Sequence, residues 1–140
     1  MSTNATGHRR RGAIGVIVID ESLLGIERSQ TVRAPGRFCF PGGEIEVGES
    51  EEDAVKRELI EELNIQVNPI RRLWRSETAS GVLLLWWLVH LPPDQVPKPN
   101  PDEVARAFWM PPSEIIRRRE TLSSNREFLA AVAAEQISLG

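Results

Sequence analysis

Tyrosine is absent from this chain of 140 residues, cysteine occurs once and histidine twice. Because Cys39 has no partner in the chain, an internal disulfide is excluded, and a reducing cytoplasm is the expected compartment. A cysteine phosphatase would need an arginine six residues later, where Ile45 stands, so we interpret Cys39 as a small buried residue. His8 and His90 are too isolated to indicate a zinc site or a catalytic pair.

The chain also has little net charge and no long apolar run. Its formal net charge is −3, which argues against general phosphate neutralisation, so we expect no stable nucleic-acid complex. The longest apolar run, residues 82–89, is far shorter than the roughly 20 residues that span a bilayer. The polar opening MSTNATGHRRR lacks the apolar segment of a signal peptide. We predict a flexible tail over residues 1–11, one domain over residues 12–140, and no membrane association.

Short apolar and β-branched segments, separated by turn residues, predict that much of the chain forms strands. The predicted strands cover residues 12–19, 23–28, 37–40, 70–78, 82–91 and 108–110. A short helix should begin at Ser113, and Ser124 with Glu127 has the spacing of a capping box that would begin a final helix. This order, without regular βαβ alternation, predicts a mixed α/β sandwich.

A helix is predicted in the middle of the chain from signals at both of its ends. Ser50 followed by Asp53 is typical of an N-cap, and Asn64 is typical of the left-handed residue that ends a helix. The helix should therefore extend from about Glu51 to Leu63.

Three carboxylates of this helix, Glu58, Glu61 and Glu62, share one face at about 100° per residue. They approach the negative end of the helix dipole and repel one another, which costs a few tenths of a kcal/mol or so for each clash. A divalent cation held among them would reverse that penalty. The alternative is an ordinary solvated acidic face.

The turn before the helix, Pro41-Gly42-Gly43, lets the backbone approach a ligand without interference from side chains. Gly43 and Gly48 have the spacing of a phosphate-binding loop, but Glu49 stands where such a loop carries a lysine. An acidic loop can meet a polyphosphate only through metal ions.

Residues 43–65 resemble the signature of the Nudix hydrolase family. Gly43 is followed after five residues by Glu49, and after seven more by the sequence Arg57-Glu58-Leu59-x-Glu61-Glu62-x-x-Ile65. Asn64 replaces the family's glycine, and because asparagine also tolerates positive φ, we expect the loop–helix–loop geometry to survive. The resemblance implies the Nudix fold, a mixed β-sheet flanked by helices in an α/β/α sandwich.

The resemblance also implies an activity and a cofactor. Family members hydrolyse a nucleoside diphosphate linked to another group, by attack of water on phosphorus, with Mg²⁺ or with Mn²⁺ in its place. By similarity, Glu58 and Glu62 would bind the metal directly, with Glu61 close by and the carbonyl of Gly42 completing the site.

Further roles follow from the same resemblance. Arg57 would pair with Glu49 and brace the helix against its loop. The candidates for the general base are Glu58, Glu61 and Glu103, the last because MutT-type members carry an acid at this distance before a similar Trp-Met.

Three residues are candidates for substrate binding by similarity to MutT-type members. Arg28 would contact a phosphate, Asn125 would bind a purine edge through its amide, and Phe40 would line the base pocket. An exposed surface arginine and a helix-capping asparagine are the competing interpretations of the first two. The expected substrate is a nucleoside triphosphate, and 8-oxo-dGTP is a candidate.

Other functions stay open. A dinucleoside polyphosphate or ADP-ribose hydrolase is the alternative within the enzymes, although dinucleoside-specific members typically carry a tyrosine after the signature. A non-catalytic nucleotide-binding module would usually have lost acids of the helix that this chain retains. The protein is expected to be a cytoplasmic monomer or homodimer.

Overall fold

The computed structural model describes residues 3–4 and 7–140, in which the strands form two four-stranded sheets. The first sheet has the order β5 (Gly42–Glu44), β1 (Arg11–Val16), β7 (Leu83–His90) and β6 (Asn68–Glu77). β1 runs parallel to β7, whereas the β1–β5 and β6–β7 pairs are antiparallel. The sheet is therefore mixed, and β6 and β7 form the predicted hairpin.

The second sheet is antiparallel and centres on β3. It consists of β2 (Val18–Ile19), β3 (Ser22–Arg28), β4 (Phe38–Cys39) and β8 (Val104–Met110), each of the others pairing with β3. The single strand predicted over residues 12–19 is divided at Ile17, where the chain passes from the first sheet to the second. Ile17 is itself buried, so the apolar pattern continues through the break and does not mark it.

Helices cover opposite faces of this framework, as the predicted α/β/α sandwich requires. They are α1 (Glu51–Leu63), α2 (Pro112–Arg117) and α3 (Ser123–Ala133). Leu59 of α1 and Ala13 belong to one core cluster, whereas Phe128 of α3 and Ile14 belong to a second. Ala13 and Ile14 are neighbours in β1 and point to opposite sides because side chains alternate along a strand.

Close packing of α1 on the sheet depends on Gly15 in β1. A methyl group added at Gly15 would lie 3.1 Å from Cδ2 of Leu59 and 3.5 Å from a methyl group of Val55. Both of those side chains are fully buried. The helix that carries the acidic residues is therefore held directly against the central strand.

The predicted capping box at Ser124 and Glu127 is wrong. α3 begins at Ser123, its N-cap is Leu122, and no side chain caps it. The Leu122 N–H donates to the carbonyl of Phe38 at 2.9 Å. This tertiary contact fixes where the chain turns into the helix, and local capping signals do not.

The predicted N-terminal tail is described only in part. β1 begins at Arg11, inside the predicted tail, and the carbonyl of Arg10 accepts a hydrogen bond from the Leu83 N–H at 3.1 Å. Residues 1, 2, 5 and 6 lie outside the described residues, so the flexibility of the tail stays a prediction. Within the described chain, no helix is long and apolar enough to cross a membrane.

Candidate active site

The acidic helix α1 has the predicted ends. The side chain of Ser50 accepts a hydrogen bond from the Asp53 N–H at 3.1 Å, and Asn64 adopts a left-handed conformation with φ of 54°. The Asn64 N–H donates to the carbonyl of Ile60 at 2.9 Å. Because both signals are local, the sequence was sufficient to predict these ends.

Arg57 connects the helix to the loop before it. Its Nε and Nη2 donate to the two carboxylate oxygens of Glu49 at 2.9 and 3.1 Å, which is the predicted pair. Nη2 also donates to the carbonyl of Glu44 at 2.9 Å. The hydrogen bonds from Arg57 lower the pKa of Glu49, and Glu49 in turn raises the pKa of Arg57. This bidentate pair fixes the loop relative to α1.

Glu62 is a buried carboxylate, with only 6% of the residue exposed. Its Oε1 accepts a hydrogen bond from the Gly42 N–H at 2.8 Å. Burial raises the pKa of Glu62 to about 8; the Gly42 bond opposes the rise, and the charges of Glu58 and Glu103 add to it. The groups of the protein alone therefore supply too little positive charge near Glu62 to stabilise its ionised form.

Glu58 lies beside Glu62 on the same side of α1, since residues four apart are neighbours on a helix. Burial raises its pKa, Arg57 opposes that rise by donating to Oε1 at 2.9 Å, and Glu61 and Glu103 add to it. A methyl group added at Gly43 would overlap the Glu58 carboxylate. The glycine turn thus provides the space in which this carboxylate lies.

Glu61 occupies a different position from its two neighbours. Its side chain is 47% exposed, and both carboxylate oxygens accept hydrogen bonds from Nη1 of Arg57, at 3.3 and 3.4 Å. The predicted cluster of three acids is therefore the buried Glu62 beside the partly buried Glu58, with Glu61 turned towards the arginine.

A cavity of about 540 Å³ opens beside Glu58 and Glu62. The predicted site residues that line it are Arg28, Phe40, Gly42, Glu58, Glu62, Glu103 and Asn125. They come from five separate parts of the chain, and only the fold brings them together. Glu49, Arg57 and Glu61 are not among the residues that line the cavity, and the first two have the bracing contacts described above.

The candidate substrate-binding side chains are held by other groups of the chain. Nε of Arg28 donates to the carbonyl of Arg33 at 2.6 Å, which fixes the guanidinium in the cavity wall. Asn125 is 3% exposed, its Oδ1 accepts from the Phe40 N–H at 2.9 Å, and its Nδ2 donates to Ser124 Oγ at 3.1 Å. Asn125 does not cap α3, which excludes the capping interpretation.

Cys39 is buried in the same wall, as predicted. Burial raises the pKa of its thiol to about 11, although the Arg28 guanidinium nearby acts in the opposite direction. A thiol with a raised pKa is a poor nucleophile at neutral pH.

Two neighbouring arginines are among the residues of the cavity wall that the sequence does not predict. Arg10 and Arg11 line the cavity, and Nε of Arg10 lies 3.3 Å from Oε1 of Glu44. The basic run at residues 9–11 is the only signal that the sequence carries for them, and it lies in the predicted tail. Its place beside the acids depends on the pairing of β1 with β5 and β7.

The acidic pair fits a hard divalent cation. In the chain as described, no three acidic, histidine or cysteine side chains converge closely enough to hold a metal ion by themselves. The carboxylates of Glu58 and Glu62 nevertheless supply oxygen atoms. The charge of the buried Glu62 lacks compensation, whereas Glu58 is paired with Arg57. Mg²⁺ keeps several waters and needs only one or two carboxylates from a protein. Two carboxylates and one backbone carbonyl are therefore a sufficient set.

Comparison with known proteins agrees with this geometry. Residues 9–132 match the NUDIX domain family. A Nudix hydrolase of Deinococcus radiodurans is 28% identical over 101 residues, which cover 61% of this chain and 56% of that protein. An uncharacterised Nudix hydrolase of Nostoc sp. is 33% identical over 78 residues, covering 54% of this chain and 46% of that protein. The chain thus spans about half the length of these curated relatives.

A solved structure has the same fold. The crystal structure of a MutT NUDIX hydrolase from Burkholderia pseudomallei superposes with a TM-score of 0.71 at 24% identity, covering 88% of this chain and 97% of that one. The mixed sheet, the flanking helices, the signature helix with its glycine turn and the family match over most of the chain lead to one assignment. The chain belongs to the Nudix hydrolase family.

Proposed function

We propose that this protein hydrolyses a nucleoside triphosphate, or a related nucleoside diphosphate derivative. The products would be a nucleoside monophosphate and pyrophosphate or a phosphorylated group. The observation that carries the proposal is the pair of carboxylates, the buried Glu62 and the partly buried Glu58, in the wall of a cavity that Arg28 also lines. Two carboxylates in this position repel a polyphosphate unless a cation lies between the carboxylates and the phosphates.

Nudix hydrolases use divalent metal ions, and we propose Mg²⁺, which Mn²⁺ can replace. Glu58, Glu62 and the carbonyl of Gly42 would hold it. When bound, the ion compensates the charge of the acids and phosphates and lowers the pKa of the attacking water. Glu62 keeps its bond to the Gly42 N–H, which fixes one carboxylate oxygen and leaves the other free.

Arg28 is proposed to bind a phosphate of the substrate. Its Nε is occupied by the Arg33 carbonyl, so the outer nitrogens of the guanidinium are the groups that can donate to phosphate oxygens. A charge-assisted bond of this kind strengthens as negative charge develops on the leaving group.

Glu103 is the proposed general base. It lines the cavity and its charge acts on both Glu58 and Glu62, whereas Glu61 faces Arg57 and is half exposed. Glu58 remains a candidate, but a carboxylate committed to a metal is less available to accept a proton from water.

Phe40 and Asn125 are proposed to bind the base. After its bonds to the Phe40 N–H and Ser124, the Asn125 amide retains one acceptor lone pair and one N–H, which suit a purine edge. An oxidised purine nucleotide such as 8-oxo-dGTP is the proposed substrate within this class. We also propose a cytoplasmic location and a monomer or homodimer.

A panel of nucleotides incubated with Mg²⁺ tests the proposal. The panel should contain 8-oxo-dGTP, the unmodified triphosphates, ADP-ribose and a dinucleoside tetraphosphate, with products resolved to show which bond breaks. Release of pyrophosphate from a triphosphate is expected. Preference for ADP-ribose or the dinucleoside would assign the alternative enzyme class, and binding without turnover would assign a non-catalytic module.

Glu62→Gln is the matching variant, because glutamine keeps the acceptor for the Gly42 N–H and removes the charge. It should lose about 100-fold or more in kcat while remaining folded. Full activity of this variant, or of the wild-type protein in excess chelator, would exclude the metal-dependent mechanism.

A further inference from the structure

The loop that carries Glu103 is docked on the C-terminal end of α1. The backbone N–H of Asn100 donates to the carbonyl of Glu62 at 2.9 Å, and its side-chain Nδ2 donates to the carbonyl of Glu61 at 3.2 Å. The Lys98 N–H donates to the carbonyl of Leu63 at 2.8 Å. Helix C-terminal carbonyls have no partner within the helix, so this loop satisfies the turn of α1 that bears Glu62.

Asn100 also organises the turn that leads to Glu103. Its Oδ1 accepts from the Asp102 N–H at 3.1 Å. Its backbone carbonyl accepts from the N–H groups of Glu103 and Val104 at 2.9 and 2.7 Å. One residue thus contacts the acidic helix with its donors and the turn before β8 with its acceptors.

The segment after β3 contacts the same turn from the opposite side. The Ser29 N–H donates to the carbonyl of Glu103 at 3.1 Å, and its hydroxyl donates to the carbonyl of Asp102 at 3.2 Å. Ser29 is 5% exposed, and the hydroxyl of Thr31 adds a bond to the Asp102 carbonyl at 3.0 Å. The backbone of Glu103 is therefore fixed between α1 and the strand that ends in Arg28.

We propose that Asn100 is a positioning residue that holds Glu103 in place beside Glu62 before substrate binds. The proposal rests on the proposed function, in which Glu103 accepts a proton from water. The side-chain amide of Asn100 joins the Glu61 carbonyl of α1 to the Asp102 N–H. Loss of that link would let the turn move relative to the metal ligands, and misplacement of a general base by about 1 Å can reduce a rate by about 100-fold.

Asn100→Ala tests the proposal, because it removes both side-chain bonds and leaves the backbone bonds available. We expect kcat to fall about 10- to 100-fold with KM changed less than about twofold. Gln95→Ala is the matched control, since Oε1 of Gln95 accepts from the Gln66 N–H at 2.9 Å and ties the same loop at a point away from Glu103. The control should keep wild-type kcat.

A double-mutant cycle separates positioning from general stability. If Asn100 acts through Glu103, then Asn100→Ala should change kcat less than about twofold in a Glu103→Gln background. Multiplicative effects of the two substitutions would overturn the proposal, and so would unchanged kcat in either single variant.

Hydrogen exchange supplies a measurement that needs neither metal nor substrate. Asn100→Ala should accelerate exchange of the amides of Asp102, Glu103 and Val104 about tenfold or more, while amides of the β6–β7 hairpin keep their protection. Unchanged exchange at these three amides would overturn the proposal. If the wild-type protein hydrolyses no nucleotide, the proposed function fails, and exchange alone decides whether Asn100 fixes the turn.

Discussion

The charge of Glu62 should make the metal-free protein less stable as pH rises. Burial raises the pKa of Glu62 from 4.5 to about 8, so the folded state holds its proton more tightly than the unfolded state does. A raised pKa of this kind contributes stability that is fully present below pH 4.5 and is lost as pH rises through 8. Glu62→Gln cannot ionise and should not show this loss.

The size of this loss of stability follows from the rise in the pKa of Glu62 from 4.5 to about 8. Each pKa unit corresponds to about 1.4 kcal/mol. Between pH 5 and pH 9, this single carboxyl should therefore lower the free energy of unfolding by on the order of 4 kcal/mol relative to the glutamine variant. That is a large fraction of the total stability of a small domain.

Urea unfolding in the presence of a chelator, at several pH values between 5 and 9, measures the effect. The relevant quantity is the difference in free energy of unfolding between the wild-type protein and Glu62→Gln at each pH. Glu61→Gln is the matched control, because it removes a charge from the same helical turn at a position that is 47% exposed. Added Mg²⁺ at pH 8 should stabilise the wild-type protein more than Glu62→Gln.

If the free energy of unfolding changes with pH in the same way for the wild-type protein and Glu62→Gln, the expected effect of Glu62 is refuted. That result would mean that Glu62 is solvated or compensated in the folded protein, so that no uncompensated buried charge would favour a cation there. A similar pH-dependent difference in the free energy of unfolding between the wild-type protein and the Glu61→Gln control would refute it as well. Burial of Glu62 would then not be the cause of the pH dependence.

Three further variants test the contacts in the site. Gly43→Ala places a methyl group where the Glu58 carboxylate lies and should lower kcat about 100-fold, with circular dichroism confirming that the fold is retained. Arg28→Ala should reduce kcat/KM by about 1–3 kcal/mol of transition-state binding; an effect within error would contradict a phosphate contact. Asn125→Ala leaves the buried Phe40 N–H without its acceptor and should cost about 1–3 kcal/mol in urea unfolding. The same variant should weaken purine triphosphates more than pyrimidine triphosphates, and equal losses in kcat/KM would show that Asn125 does not select the base.

Local signals in the sequence determined the acidic helix. Ser50 and Asn64 act within a few residues of the ends they set, so the bounds of α1 could be predicted. The spacing of Arg57, Glu58 and Glu62 then placed charged groups by helical periodicity alone. The Arg57–Glu49 pair could also be predicted, because it lies within the signature itself.

Tertiary structure decided which other residues meet those acids. The basic run that contains Arg10 does not show by itself that it lies beside the acids, and Asn100 carries no local signal for its contact with α1. Each is positioned by a backbone hydrogen bond with a distant segment. The start of α3 was mispredicted for the same reason, since the contact of Leu122 with Phe38 outweighs the capping signal at Ser124. Periodicity and capping are short-range properties of the chain, whereas the cavity is made by long-range contacts whose partners only the packed sheets specify.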